Sequence, residues 1–174
     1  MNGTNEFATE RLLLRRYRPD DARILYEKFG CDPKMYEYSG WNPYASYYMA
    51  RETVLRFIES YERTDFYGWA IEREGLLIGT IGAYDYDPER NCIEVGISID
   101  PNFGGNGYAT EALIGVIGYL TGHEGISVIT AWCASDNTGS MKAMQKAGMK
   151  QTATEENSLE VNGITYDKLI FTYV

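Results

Sequence analysis

Histidine is almost missing from this chain: there is one, His123. That excludes metal sites built from two or three imidazoles, and any mechanism that needs a histidine pair. Cysteine is scarce too. Cys31, Cys92 and Cys133 lie far apart with no CxxC pair, which speaks against a disulfide scaffold and for a reducing compartment, the cytoplasm. No apolar run approaches ~20 residues, and the polar opening Met1-Asn2-Gly3-Thr4-Asn5-Glu6 is unlike a signal peptide, so no membrane partner is expected. Positive charge is in deficit, with Lys+Arg at 16 against Asp+Glu at 25 and a net charge of −9. The longest basic cluster, Arg15-Arg16-Tyr17-Arg18, sits in a strand-like run, and nucleic acid is not expected as a partner. Nothing in this inventory calls for a metal.

What is present suffices for a core. A chain of 174 residues with 44% hydrophobic side chains fits one domain, residues 1–174, which buries roughly 70% of the surface its unfolded chain would expose. The 15 tyrosines are expected to be mostly part-buried, with their hydroxyls bonded.

Hydrophobic periodicity orders the elements. Leu12 to Tyr17 reads as a strand ending at Arg18-Pro19, after which Asp20 is placed to cap a helix carrying Leu25, Tyr26 and Phe29, with Gly30 as a left-handed stop. A second helix begins after Asn42-Pro43, with Val54, Phe57, Ile58 and Tyr61 as its apolar stripe. Strands are predicted at 68–73, 77–86 and 92–99, joined by the turn chemistry of Glu74-Gly75 and Asp87 to Asn91. A glycine-rich segment, 102–108, opens a helix buried through Leu113, Val116, Ile117 and Leu120. A strand over 126–134, a helix capped by Asp136 or Asn137 and stopped at Gly148, and two further strands complete the chain. The fold class is α/β (α+β): a central, mostly antiparallel mixed sheet of about six or seven strands, about four helices, and one strand–helix–strand crossover.

The chemistry gathers where the strand Ile93-Glu94-Val95-Gly96-Ile97-Ser98-Ile99 runs through glycines into a helix. Glycine lets several N–H groups turn to one side, and a helix start adds unpaired N–H groups with partial positive charge. Together they make a pyrophosphate cradle that needs no lysine. The loop lacks the GK[ST] ending of an NTPase loop, and Thr110 stands where a dinucleotide fingerprint needs a third small residue. An ordinary strand-to-helix turn remains the alternative, and so does a general phosphate-ligand site.

Gly105 and Gly107, with Tyr108-Ala109-Thr110-Glu111-Ala112 behind them, resemble the acetyl-coenzyme A signature of the GNAT N-acetyltransferase superfamily. Thr9 to Arg15, Asp136-Asn137-Thr138-Gly139-Ser140, Lys146-Ala147-Gly148-Met149, and Asn162-Gly163 with Asp167 resemble its RimJ/RimL-type subgroup of ribosomal-protein acetyltransferases, in the correct order along nearly the whole chain. Asn102 departs from the Gln or Arg usual in the signature. Met144 stands where many members carry a tyrosine that protonates the leaving thiolate, a tyrosine that RimJ/RimL-like members often lack.

The resemblance implies a GNAT-like fold and transfer of acetyl from acetyl-CoA, used as co-substrate, to a primary amine that attacks the thioester directly. It implies coenzyme contacts along Ile97, Ser98 and Ile99, through Gly104, Gly105, Asn106, Gly107, Tyr108, Ala109 and Thr110, and at Asn137. A backbone N–H near Gly96-Ile97-Ser98, where the family's strand bulges, would bind the thioester oxygen. Ser140 would lie near amine and sulfur. Glu94 is the candidate base through a water, because strand alternation puts it on the face of Gly96 and Ser98; a solvent-facing glutamate is the alternative. An α-amine, with pKa near 7.7–8.0, is roughly a tenth neutral at pH 7 and needs little base assistance, whereas lysine at about 10.4 needs much. The acceptor is therefore a protein N-terminal α-amine or a small amine. Its pocket is expected from the first two helices and the last hairpin, with Tyr36, Tyr38, Trp41, Tyr44, Tyr47 and Tyr48. The missing tyrosine leaves a non-catalytic CoA-binding sensor or interaction module as the alternative, and a homodimer is compatible with either. His123 reads as a surface helix end, Met141 and Met144 as core, and Cys92 and Cys133 as buried strand residues.

Overall fold

The computed structural model describes residues 1–174. Eight strands form one sheet: β1 (Phe7–Ala8), β2 (Leu13–Arg15), β3 (Tyr67–Arg73), β4 (Leu76–Asp87), β5 (Cys92–Ile99), β6 (Val128–Ala134), β7 (Lys150–Val161) and β8 (Ile164–Tyr173), in the order β1-β2-β3-β4-β5-β6-β8-β7. The helices are α1 (Asp21–Ile24, continued by a π-helical turn, Leu25–Gly30), α2 (Tyr47–Ser60), α3 (Tyr108–Gly122) and α4 (Thr138–Lys146). The sheet has one strand more than expected. The extra strand is β1, whose two residues are too few to show an alternation.

Every neighbouring pair is antiparallel except β5 and β6. Parallel neighbours need a crossover, and α3 supplies it. Side-chain alternation divides the core between the sheet's two faces. From β3, Trp69 and Ile71 join Leu113, Val116, Ile117 and Leu120 of α3, whereas Ala70 joins Leu25, Phe29 and Val54 of the α1 and α2 layer.

Three local expectations need correcting. Asp20 precedes α1 but its side chain makes no capping bond; the neighbouring Asp21 carboxylate instead accepts from Arg18 N–H at 2.7 Å. Gly30 is not left-handed. It ends the π-helical turn, and a Cβ there would lie 1.8 Å from the Tyr44 carbonyl oxygen, so glycine is required for a close backbone approach. Helix α2 starts later than Asn42-Pro43 suggests, because the Ser46 hydroxyl caps it by accepting from Met49 N–H at 3.2 Å. Asn42 instead ties the intervening connector down, its amide donating to Gly30 O at 2.8 Å.

The basic cluster is consumed internally. Arg15, 3% exposed, bridges Asp21 and Glu72, and Arg16 donates to Thr4 O at 2.7 Å. Removing Arg15 would leave the buried Asp21 carboxylate without its cation, at a cost of about 3–5 kcal/mol. No helix is long and apolar enough to cross a membrane.

Candidate functional site

Strands β5 and β6 start as neighbours and then separate. They pair at Cys92 with Val128, Ile93 with Ile129 and Glu94 with Thr130, yet continue unpaired to Ile99 and Ala134. On its other edge β5 keeps an unbroken register with β4, from Tyr84 opposite Glu94 to Gly79 opposite Ile99. Asp100 N–H donates to Ile78 O, which fixes the alternation of that ladder. The polar backbone groups of Glu94, Gly96 and Ser98 therefore turn toward β4, and those of Ile97 and Ile99 face the open notch. The bulge expected near Gly96-Ile97-Ser98 is absent. The irregularity lies in β4 between Tyr84 and Asp87, where Asp85 has φ +55°, and the notch opens by strand divergence alone.

Beyond the notch, Gly104 is extended and Gly105 and Gly107 have φ of +76° and +81°. Gly107 is the N-cap of α3 and brings no side chain, so the N–H groups of Tyr108, Ala109 and Thr110 stay uncapped. The first helical bond runs from Glu111 N–H to Gly107 O at 3.0 Å. The two asparagines of the loop brace it. Asn102 donates to the buried Asp100 carboxylate at 2.8 Å, and Asn106 donates to the carbonyls of Phe103 and Gly104 at 3.1 Å. The loop also holds two cations that its sequence does not show. The Arg11 guanidinium lies 4.6 Å from the Tyr108 ring centre, pairs with Glu111 at 2.7 Å and donates to Asn106 O at 3.1 Å. Arg73, at the end of β3, stands 5.3 Å from the same ring. Only the pairing of distant segments reveals them.

Across the notch, α4 is capped by Asn137 and not by Asp136: Asn137 Oδ1 accepts from Ser140 N–H at 3.1 Å. That bond leaves the Asn137 amide protons and the Ser140 hydroxyl without a partner in the protein, and both residues line the cleft. Met144 is 2% exposed and lines the same wall with Cys133, whose thiol burial pushes up to about 11. Met141 packs against the core, Cys92 is only half-buried, and His123 is an exposed helix end against Tyr119.

The face opposite α3 carries an aromatic cleft of ≈ 860 Å³ that reaches the notch. Tyr36, Tyr38, Trp41 and Tyr44 line it, but Tyr47 and Tyr48 do not; as the first two residues of α2 they are 51% and 70% exposed to solvent. The last hairpin does not line it either. Tyr166 packs edge-on against Tyr38 at 5.6 Å and Val161 against Gly40, so β7 and β8 brace the connector from behind. Sequence reasoning missed Tyr84 and Trp132 as wall residues, because no local motif marks them; the β4–β5 register is the signal that finds Tyr84. Glu94 stands behind these two. Its Oε1 accepts from Trp132 Nε1–H at 2.9 Å, and Tyr84 is its cross-strand partner. Burial first, then the nearby Glu94 charge, pushes the Tyr84 phenol above its ordinary value.

With this geometry in view, residues 11–150 match the acetyltransferase (GNAT) domain family. The chain is 29% identical over 168 residues to the uncharacterized N-acetyltransferase YoaA of Bacillus subtilis (strain 168), covering 95% of this chain and 94% of that one. Its fold superposes on RimL, a ribosomal L7/L12 alpha-N-protein acetyltransferase solved with coenzyme A, with TM-score 0.86 and 16% identity over 98% of each chain. It also superposes on the ribosomal-protein-S5-alanine acetyltransferase of Vibrio fischeri, with TM-score 0.84 and 18% identity over 98% and 97%.

Proposed function

This chain belongs to the GNAT acetyltransferase family and is an N-acetyltransferase, and from that premise we propose that it moves acetyl from acetyl-CoA to a protein N-terminal α-amine or a small primary amine. The observation that carries the reading is the notch between β5 and β6, with uncapped helix amides at one end and an aromatic, carboxylate-backed cleft at the other.

Each half has residues suited to its task. The N–H groups of Tyr108, Ala109 and Thr110 and the positive end of α3 suit a pyrophosphate, with Gly104, Gly105 and Gly107 letting it approach the main chain. Arg11 and Arg73 add charge that a protein of net charge −9 otherwise lacks there. The unpaired Asn137 amide suits a pantetheine carbonyl, and the edges of Ile97 and Ile99 suit the arm's amides. Ile97 N–H is the donor we assign to the thioester oxygen; the N–H groups of Gly96 and Ser98 belong to the β4 ladder. The Asn106 side-chain amide is spent on the carbonyls of Phe103 and Gly104 and Ser98 N–H on the β4 ladder, whereas the Ser98 hydroxyl has no partner in the protein and lines the cleft.

The reaction then needs a nucleophile, a proton acceptor and a proton for sulfur. The neutral amine bonds to the thioester carbon, the carbon–sulfur bond breaks, and the proton released by nitrogen ends on the thiol. Glu94 accepts that proton and later gives it up to the thiolate, while the Ser140 hydroxyl donates a hydrogen bond to the departing sulfur. The fold likeness to two ribosomal-protein acetyltransferases supports a peptide α-amine among the acceptors, and a reducing cytoplasm is the setting we propose.

The test is CoA release from acetyl-CoA across peptides with free α-amines, polyamines, amino acids and aminoglycosides. Release with at least one class is expected. CoA binding without release from any of them would overturn transfer and favour a coenzyme sensor, a second reading that rests on Met144 in the place of a proton-donating tyrosine.

A further inference from the structure

We infer that Tyr84 relays the proton of the attacking amine to Glu94, an inference that rests on the transfer reading above. Unlike Asp65 and Asp85, Glu94 does not itself line the cleft; it is joined to the cleft wall by Trp132, which donates to it, and by Tyr84, its cross-strand partner. The Tyr84 hydroxyl stands over Gly96, where a Cβ would lie 2.8 Å from it. Gly96 is the residue before Ile97, whose N–H faces the notch, so the phenol stands beside the strand segment assigned to the thioester oxygen.

The two aromatic residues beside the carboxylate differ in what they can do for it. Trp132 Nε1–H occupies Oε1 of Glu94 at 2.9 Å, and an indole can only donate. It orients the carboxylate but cannot pass a proton. A phenol both donates and accepts, so Tyr84 can take a proton from the amine nitrogen while its own moves to Glu94. The proton later returns by the same route to the departing sulfur, and the enzyme regains its starting state with no co-reactant. The charged groups facing this pair are Asp85 beside Tyr84, and Lys168 of β8, whose ammonium lies 5.0 Å from the Trp132 ring centre. Gly96 is explained by the same arrangement: any side chain there would displace the relay.

The experiment has two readouts that fail separately. The first needs no substrate: the Trp132 indole N–H resonance is followed against pH and reports ionisation of its Glu94 partner. In the relay the phenol donates to the carboxylate, so Tyr84→Phe should raise the midpoint by about half a unit or more; an unmoved midpoint overturns the Tyr84–Glu94 link whether or not an acceptor is known. The second uses the amine that releases most CoA in the screen above. Tyr84→Phe should lower kcat about 10- to 100-fold with KM little changed, and Tyr84→Phe combined with Glu94→Gln should be no slower than Glu94→Gln alone. A kcat within twofold of the parent, or losses that multiply, overturns the relay. Gly96→Ala, which keeps both reacting side chains and pushes the phenol aside, should reproduce the kcat loss; full activity in that variant contradicts it.

Discussion

The two halves of the notch are built from different materials. The half we assign to the coenzyme is main chain: two divergent strands, two glycines with positive φ and an uncapped helix start. The half we assign to the acceptor is side chain: aromatic residues delivered by the α1–α2 connector, β4 and β6, and braced by Tyr166 and Val161 from the last hairpin. Backbone amides are the same in every residue, so the first half depends on conformation and tolerates varied side chains. The second depends on which rings arrive from distant segments, and it is free to change with the acceptor.

Substitutions should separate the halves. The largest effect is expected for Gly107→Val, which forces a β-branched residue to φ +81° at the N-cap of α3. Coenzyme A should bind about 100-fold more weakly by calorimetry, while the indole resonance of Trp132 stays in place. Gly30→Ala comes next and strikes the other half. The new Cβ would meet Tyr44 O at 1.8 Å and push the connector outward, costing roughly 1–3 kcal/mol of stability and raising KM for the amine about tenfold, with coenzyme affinity unchanged. Asn137→Ala should have the smallest effect, at about 1 kcal/mol for the lost cap in a denaturant titration and a several-fold rise in KM for acetyl-CoA. Asn137→Ser restores a capping oxygen but no amide, so it should recover the stability and leave the KM effect. A variant that impaired both halves equally would blur the division.

The same division explains what could be read before folding. Strand β5 was legible to the residue, since Cys92–Ile99 alternates cleanly between turn signals, and the cradle was legible because left-handed glycines must be written locally. The cap at Asn137 was one of two adjacent candidates, separated only by geometry. The acceptor cleft was half legible. Tyr36, Tyr38, Trp41 and Tyr44 come from one aromatic run, but Tyr47 and Tyr48 of the same run turn away once Ser46 starts the helix. Tyr84, Trp132, Arg11 and Arg73 were not legible as site residues, because their roles depend on strand register and on contacts between segments far apart in sequence. Gly30 shows the limit in one position: glycine could be seen, but the Tyr44 carbonyl that requires it could not.

The most direct measurement follows backbone amides by NMR as coenzyme A is added to the intact protein. Slowed hydrogen exchange and shifted resonances are expected at Ile97, Ile99, Tyr108, Ala109 and Thr110, with the aromatic connector from Tyr36 to Tyr44 unaffected. Binding of coenzyme A that leaves those five amides unchanged would contradict the assignment of the notch and its helix start as the coenzyme site.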